Sequence, residues 1–157
     1  MRRLVSTLFA LATLAAPLAA QTHTDFSGKW ALDPKSVANS MGPATMTMTV
    51  KQDAKTVAVE TEASGQMGEM KSAVTFNLDG SESKNTVKGP MGALELVSTS
   101  AWEGPVFVVN TKADIQGTAM TQTEKWTLGE GGKTLTVERS ATMMGQTQSL
   151  KLLFNKQ

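Results

Sequence analysis

Asp25-Phe26-Ser27-Gly28-Lys29-Trp30-Ala31-Leu32-Asp33 is the stretch whose reading decides the fold. A glycine two residues ahead of a tryptophan opens the first strand of a run of β-hairpins. Everything downstream, as far as Phe154, reads as sheet closing back onto that strand.

Upstream of it, residues 1–20 have the layout of a secretion signal. Arg2 and Arg3 form a basic start, Leu4 to Leu14 an apolar centre of about 11 residues, and small residues follow, ending in Leu18-Ala19-Ala20 with a leucine where alanine is more usual. That centre is too short to span a bilayer comfortably. Cleavage before Gln21 leaves residues 21–157 as a single domain, exported to the periplasm or secreted. No cysteine is present for lipid attachment or for disulfides, so the exported domain must hold itself by core burial and sheet pairing. The formal charge of +1 comes from the leader: without Arg2 and Arg3, 13 Lys and Arg meet 14 Asp and Glu. A nucleic-acid partner therefore has no electrostatic support.

Downstream, period-two alternation recurs and helical periodicity is scarce. The longest connection, residues 33–43, has room for one helical turn, with Asp33 placed to cap it and Pro34 at its first position. Strands follow at 44–52, 55–63, 69–78, 84–88, 93–102, from 106, at 118–128, at 133–143 and at 146–154. Val106-Phe107-Val108-Val109 is apolar on both faces and reads as covered on both. Asp79-Gly80 is a strong turn signal, because it accepts positive φ at little cost. Met67-Gly68, Met91-Gly92, Gln116-Gly117 and Met144-Gly145 recur at intervals of about 24 to 28 residues, two strands apart. They read as turn chemistry, or as a pliable apolar rim if alternate tips meet at one barrel mouth.

The fold class is thus all-β: an antiparallel up-and-down meander of about ten strands, joined by tight hairpins. A closed barrel is its natural end state, because closure removes exposed edges. An open curled sheet or a sandwich uses the same strands.

With Gly28-Lys29-Trp30 at the start of strand one, the chain resembles the calycin superfamily, in particular lipocalin-like domains of exported bacterial proteins. The closing Trp126-Thr127-Leu128, Gly132 to Val137 and Leu152 to Phe154 are similar to that family's last hairpins. The resemblance implies that Trp30 plugs one barrel end beneath a late basic side chain. Arg139, the one arginine of the mature chain, is the candidate for that stack. Its alternative role is to anchor a ligand carboxylate. Ten strands are closer to fatty-acid-binding proteins, whose helical lid has no room in 33–43.

Catalytic chemistry finds no parts. His23 is the single histidine, placed in a frayed leader, and no metal site can be spaced around it. Glu60 and Glu62 share a face and read as a solvated exterior. Gly129-Glu130-Gly131-Gly132 precedes no helix and is a hairpin loop, not a phosphate cradle. No enzyme activity, cofactor or metal is expected. The informative set is inward by phase: Met46, Met48, Met70, Val74, Phe76, Leu94, Leu96, Met120, Leu135 and Val137. These side chains either fill the interior, making the barrel an envelope structural or interaction module, or line a cavity for a small hydrophobic or amphiphilic ligand. For the second case the expected ligand-binding residues are Met46, Met48, Met70, Phe76, Leu94, Leu96, Met120 and Arg139, with Gly28, Trp30 and Arg139 as the structural signature.

Overall fold

The structure, a computed structural model, describes residues 23–37, 42–65, 68–89 and 92–157. Residues 1–20, read above as a leader, fall outside them, as do Met67 and Met91 of the repeated pairs. The strands are β1 (Gly28–Leu32), β2 (Thr45–Gln52), β3 (Thr56–Gly65), β4 (Gly68–Asn77), β5 (Ser83–Gly89), β6 (Gly92–Glu103), β7 (Val106–Ile115), β8 (Thr118–Leu128), β9 (Thr134–Met143) and β10 (Gln146–Lys156). One sheet holds all ten, in the order β4-β3-β2-β1-β10-β9-β8-β7-β6-β5. Every pairing is antiparallel, and the last strand returns to the first, with Leu32 opposite Phe154. The result is a nearly closed barrel.

Alternation produces the two faces. In β2, Met48 and Val50 are buried while Thr45 and Thr47 face out, and in β3 Val57 and Val59 are buried against Glu60 outside. Outward charges pair across strands: Lys51 with Glu60 at 3.6 Å, Lys71 with Glu62 at 2.7 Å, Lys151 with Glu138 at 3.1 Å. Glu60 and Glu62 are therefore half of two exterior ion pairs, each worth little in water. On β7 both faces are covered, as Val106 to Val109 suggested: Phe107, Val108 and Val109 are all buried. Lys125 reaches from β8 across β7 to Glu103 on β6 at 3.1 Å, so its aliphatic stem passes over the outer face beside Val108.

Asp33 leads into the 3-10 turn Pro34–Val37, its carboxylate accepting from the Lys35 amide at 2.9 Å, and a second 3-10 turn, Glu130–Gly132, joins β8 to β9. Gln116-Gly117 and Met144-Gly145 are two-residue hairpin tips in which both members take positive φ, the geometry that matches strand twist. These tips lie at the same end as the paired glycines Gly65 and Gly68 of β3–β4 and Gly89 and Gly92 of β5–β6, called the upper end below; the chain enters at the lower.

One expected hairpin differs. Asp79-Gly80 does turn the chain, yet β4 and β5 share no backbone ladder and stand as the two ends of the sheet. Side chains span the gap near the turn. The Thr75 amide donates to Asn85 Oδ1 at 2.8 Å and Asn85 Nδ2 donates to Thr75 O at 3.0 Å. The Asn77 amide donates to Ser83 Oγ at 2.7 Å, and Ser100 Oγ donates to Asn77 O at 2.6 Å. Oxygens of Ser83 and Asn85 stand where a partner carbonyl would be, which sets the two backbones a side chain apart.

Candidate functional site: a half-filled barrel

The lower end is sealed by aromatic packing. Phe26 and Trp30 are wholly buried, and Trp30 Nε1 donates to Phe26 O at 2.9 Å, so the indole's polar edge is satisfied inside the plug. Phe107, Trp102 and Trp126 surround Phe26 with ring centroids 5.8–6.1 Å from it. Gln52 fastens the entering segment, accepting from the Phe26 amide at 3.1 Å and donating to Thr24 O at 2.9 Å. His23 is not frayed. Its ring stacks on Trp102 at 4.5 Å and 5°, because that indole offers a flat apolar partner at the barrel's end.

The basic group over Trp30 is Lys156, 5.1 Å from the ring centroid, and not Arg139. Register is the reason. Trp30 lies opposite Lys156 in the β1–β10 pair, whereas Arg139 lies opposite Glu124 and Leu150, farther up the barrel. Gly28 belongs to the same arrangement: it has φ of 139°, and a Cβ there would come 2.8 Å from Lys156 Cε. A side chain at position 28 would strain the backbone and push the lysine off the indole.

Around and above the plug, Val50, Val57, Leu135, Val137, Leu152 and Phe154 fill the interior. Filling stops midway. On the side of β3 to β8 the barrel holds a cavity of about 390 Å³, within the range of small-molecule sites of roughly 300–1,000 Å³. Met48, Met70, Phe76, Leu94, Leu96 and Met120 line it, six of the eight expected residues, together with Val59, Val74, Val87 and Trp126. Met46 packs against the filled core instead, and Arg139 is not on the cavity wall. The interior is therefore filled in one half and hollow in the other. The wall crosses the β4–β5 gap, with Met70, Ser72 and Val74 on one side and Val87 to Gly89 on the other.

Polar wall residues were missed from the sequence: Thr61, Ser72, Ser98, Thr111, Gln122 and Glu124. Ser98 and Thr111 are buried and share a hydroxyl bond at 2.8 Å. Gln122 and Glu124 sit between Met120 and Trp126 at the same alternation, so the phase that selected the apolar residues also selects them. Reading only apolar members of each phase hid the polar ones. Arg139 pairs with Glu124 at 2.7 Å, which supplies the partner an inward arginine requires.

No family model matches this chain, and no curated protein matches it closely enough to count as a relative. Among solved structures, the chain is similar to secretory abundant heat soluble protein 4 from Ramazzottius varieornatus, at 17% identity and a TM-score of 0.46, over 84% of this chain and 94% of that one. The barrel described above stands on this chain's own strand pairing. Among the described residues, no helix is long and apolar enough to cross a membrane, and no group of three His, Asp or Glu could hold a metal ion.

Proposed function

We propose that this chain is an exported, lipocalin-like, non-catalytic barrel that holds a small hydrophobic or amphiphilic molecule. The observation that carries this reading is the methionine- and leucine-lined cavity above an aromatic plug. Flexible thioethers at Met48, Met70 and Met120 suit apolar guests of varied shape. The leader at 1–20 supports a periplasmic or secreted place of action. Titration with an environment-sensitive lipophilic dye tests the reading. One saturable site is expected, and Leu96→Trp, which fills the cavity from its wall, weakens it about tenfold or more while the fold persists. Dye uptake that is equal in wild type and Leu96→Trp would remove the cavity from consideration.

A further inference from the structure

One carboxylate is buried in the cavity wall. Glu124 is 7% exposed, and its environment is arranged around its two oxygens. Oε1 accepts from Arg139 Nε at 2.7 Å and from Gln122 Nε2 at 3.1 Å, and Arg139 Nη2 stands 2.7 Å from it as an ion pair. Oε2 accepts from Trp126 Nε1 at 3.0 Å and has acceptor capacity left. Register builds this set: Glu124 lies opposite Arg139 across β8–β9, while Gln122 and Trp126 flank it on the same face of β8.

The two charged partners differ in what they show a guest. Glu124 lines the cavity; Arg139, with a side chain 34% exposed, does not. The guanidinium is held by Glu124, and of the pair only the carboxylate is on the cavity wall. Lys88 and Asp114, the other charged groups on the wall, are exposed and of opposite sign, and Asp114 is engaged by the Gly117 amide at 2.6 Å. They add no net charge beside the Glu124–Arg139 pair.

We infer that Glu124 sets the head-group class of the guest: the cavity selects amphiphiles whose head donates a hydrogen bond and carries no negative charge, such as long-chain alcohols or amines, and excludes free carboxylates. This rests on the cavity reading above. A guest carboxylate would either sit beside a like charge away from water or take Arg139 from Glu124, leaving a buried ion unpaired. A hydroxyl or ammonium head instead donates to the acceptor that Oε2 still offers.

The test compares dodecan-1-ol, dodecanoate and dodecylammonium at pH 8, each displacing a bound lipophilic dye from the full mature chain. Wild type is expected to bind the alcohol at least about tenfold more tightly than the carboxylate. Glu124→Gln retains a group that can accept from Trp126 and Arg139 but frees the guanidinium charge, so the alcohol-to-carboxylate ratio falls about ten- to a hundredfold. Arg139→Gln has the opposite sign: the ratio widens and dodecylammonium tightens about tenfold. Ratios within one variant cancel any general loss of cavity shape, and far-UV circular dichroism reports folding. A ratio unchanged between wild type and Glu124→Gln, or a wild type that prefers dodecanoate, overturns the selectivity and leaves the cavity reading standing. No displacement of the dye by any amphiphile ends the cavity reading and this inference with it.

Discussion

Two seams close this barrel, and they are made of different atoms. Between β1 and β10, the ends of the chain meet through backbone: Trp30, Ala31 and Leu32 face Lys156, Asn155 and Phe154, and the ladder extends through the Asp33 amide to Leu153 O at 2.7 Å and the Gln157 amide to Lys29 O at 2.9 Å. Between β4 and β5, neighbours joined by a short turn are held by Asn85, Ser83 and Ser100 side chains. Proximity along the chain did not decide which pair forms a ladder. The distant pair also buries Trp30, Leu32 and Phe154 behind its backbone, so hydrophobic burial and hydrogen bonding reinforce each other there. At β4–β5 the wall behind the upper gap is cavity.

That contrast can be broken at three strengths. The largest effect belongs to the packed seam. Trp30→Ala empties the plug and removes the ring beneath Lys156, and it is expected to lower stability by about 3–5 kcal/mol in urea unfolding followed by circular dichroism. A midpoint matching wild type would mean that the β1–β10 seam does not depend on what lies behind it. Next comes the side-chain seam. Asn85→Ala deletes both bonds to the Thr75 peptide and should cost only about 1 kcal/mol, since water can replace them in part. Hydrogen exchange at the Thr75 amide should quicken while the Asp33 amide, bonded in the other seam, keeps its wild-type rate. Equal acceleration at both would show that the two seams open as one unit.

The smallest effect is acid sensitivity at the turns that flank the seams. Asp79, in the β4–β5 turn, is held below the ordinary value of 3.8 by the Ser81 hydroxyl and then the Ser81 amide, which donate to its carboxylate. Asp25, beside β1, is lowered in the same way by Ser27, against an opposing contribution from burial and with help from Lys156. A lowered folded value stabilises the native state above the unfolded value, and that contribution is lost as pH falls through the folded one. Acid should therefore loosen both turns only below about pH 4. The Ser81 and Ser27 amide signals in NMR titrations should move with midpoints under 3.8. A midpoint at or above that value would contradict the hydrogen bonds described here.

Much of the fold was legible because strands announce themselves locally. Alternation in 44–52 or 146–154 needs no knowledge of neighbours, and Gln116-Gly117 or Met144-Gly145 specify a turn by backbone chemistry alone. The same local phase brought Met48, Met70, Phe76, Leu94, Leu96 and Met120 to one space. What was not legible depended on register. Lys156 and Arg139 are both basic and both late in the chain, and only the offset between strands puts one over Trp30 and the other on Glu124.

By itself, the amino-acid sequence determined the all-β character, the number and order of strands, the hairpin tips and the alternation that sorts side chains inward or outward, because each is a property of a few consecutive residues. The tertiary structure alone decided where the barrel's gap lies, how far up the interior is filled, and which charges meet across strands. Those depend on distances between residues far apart in the chain, which pairing and packing settle only when the whole sheet has closed.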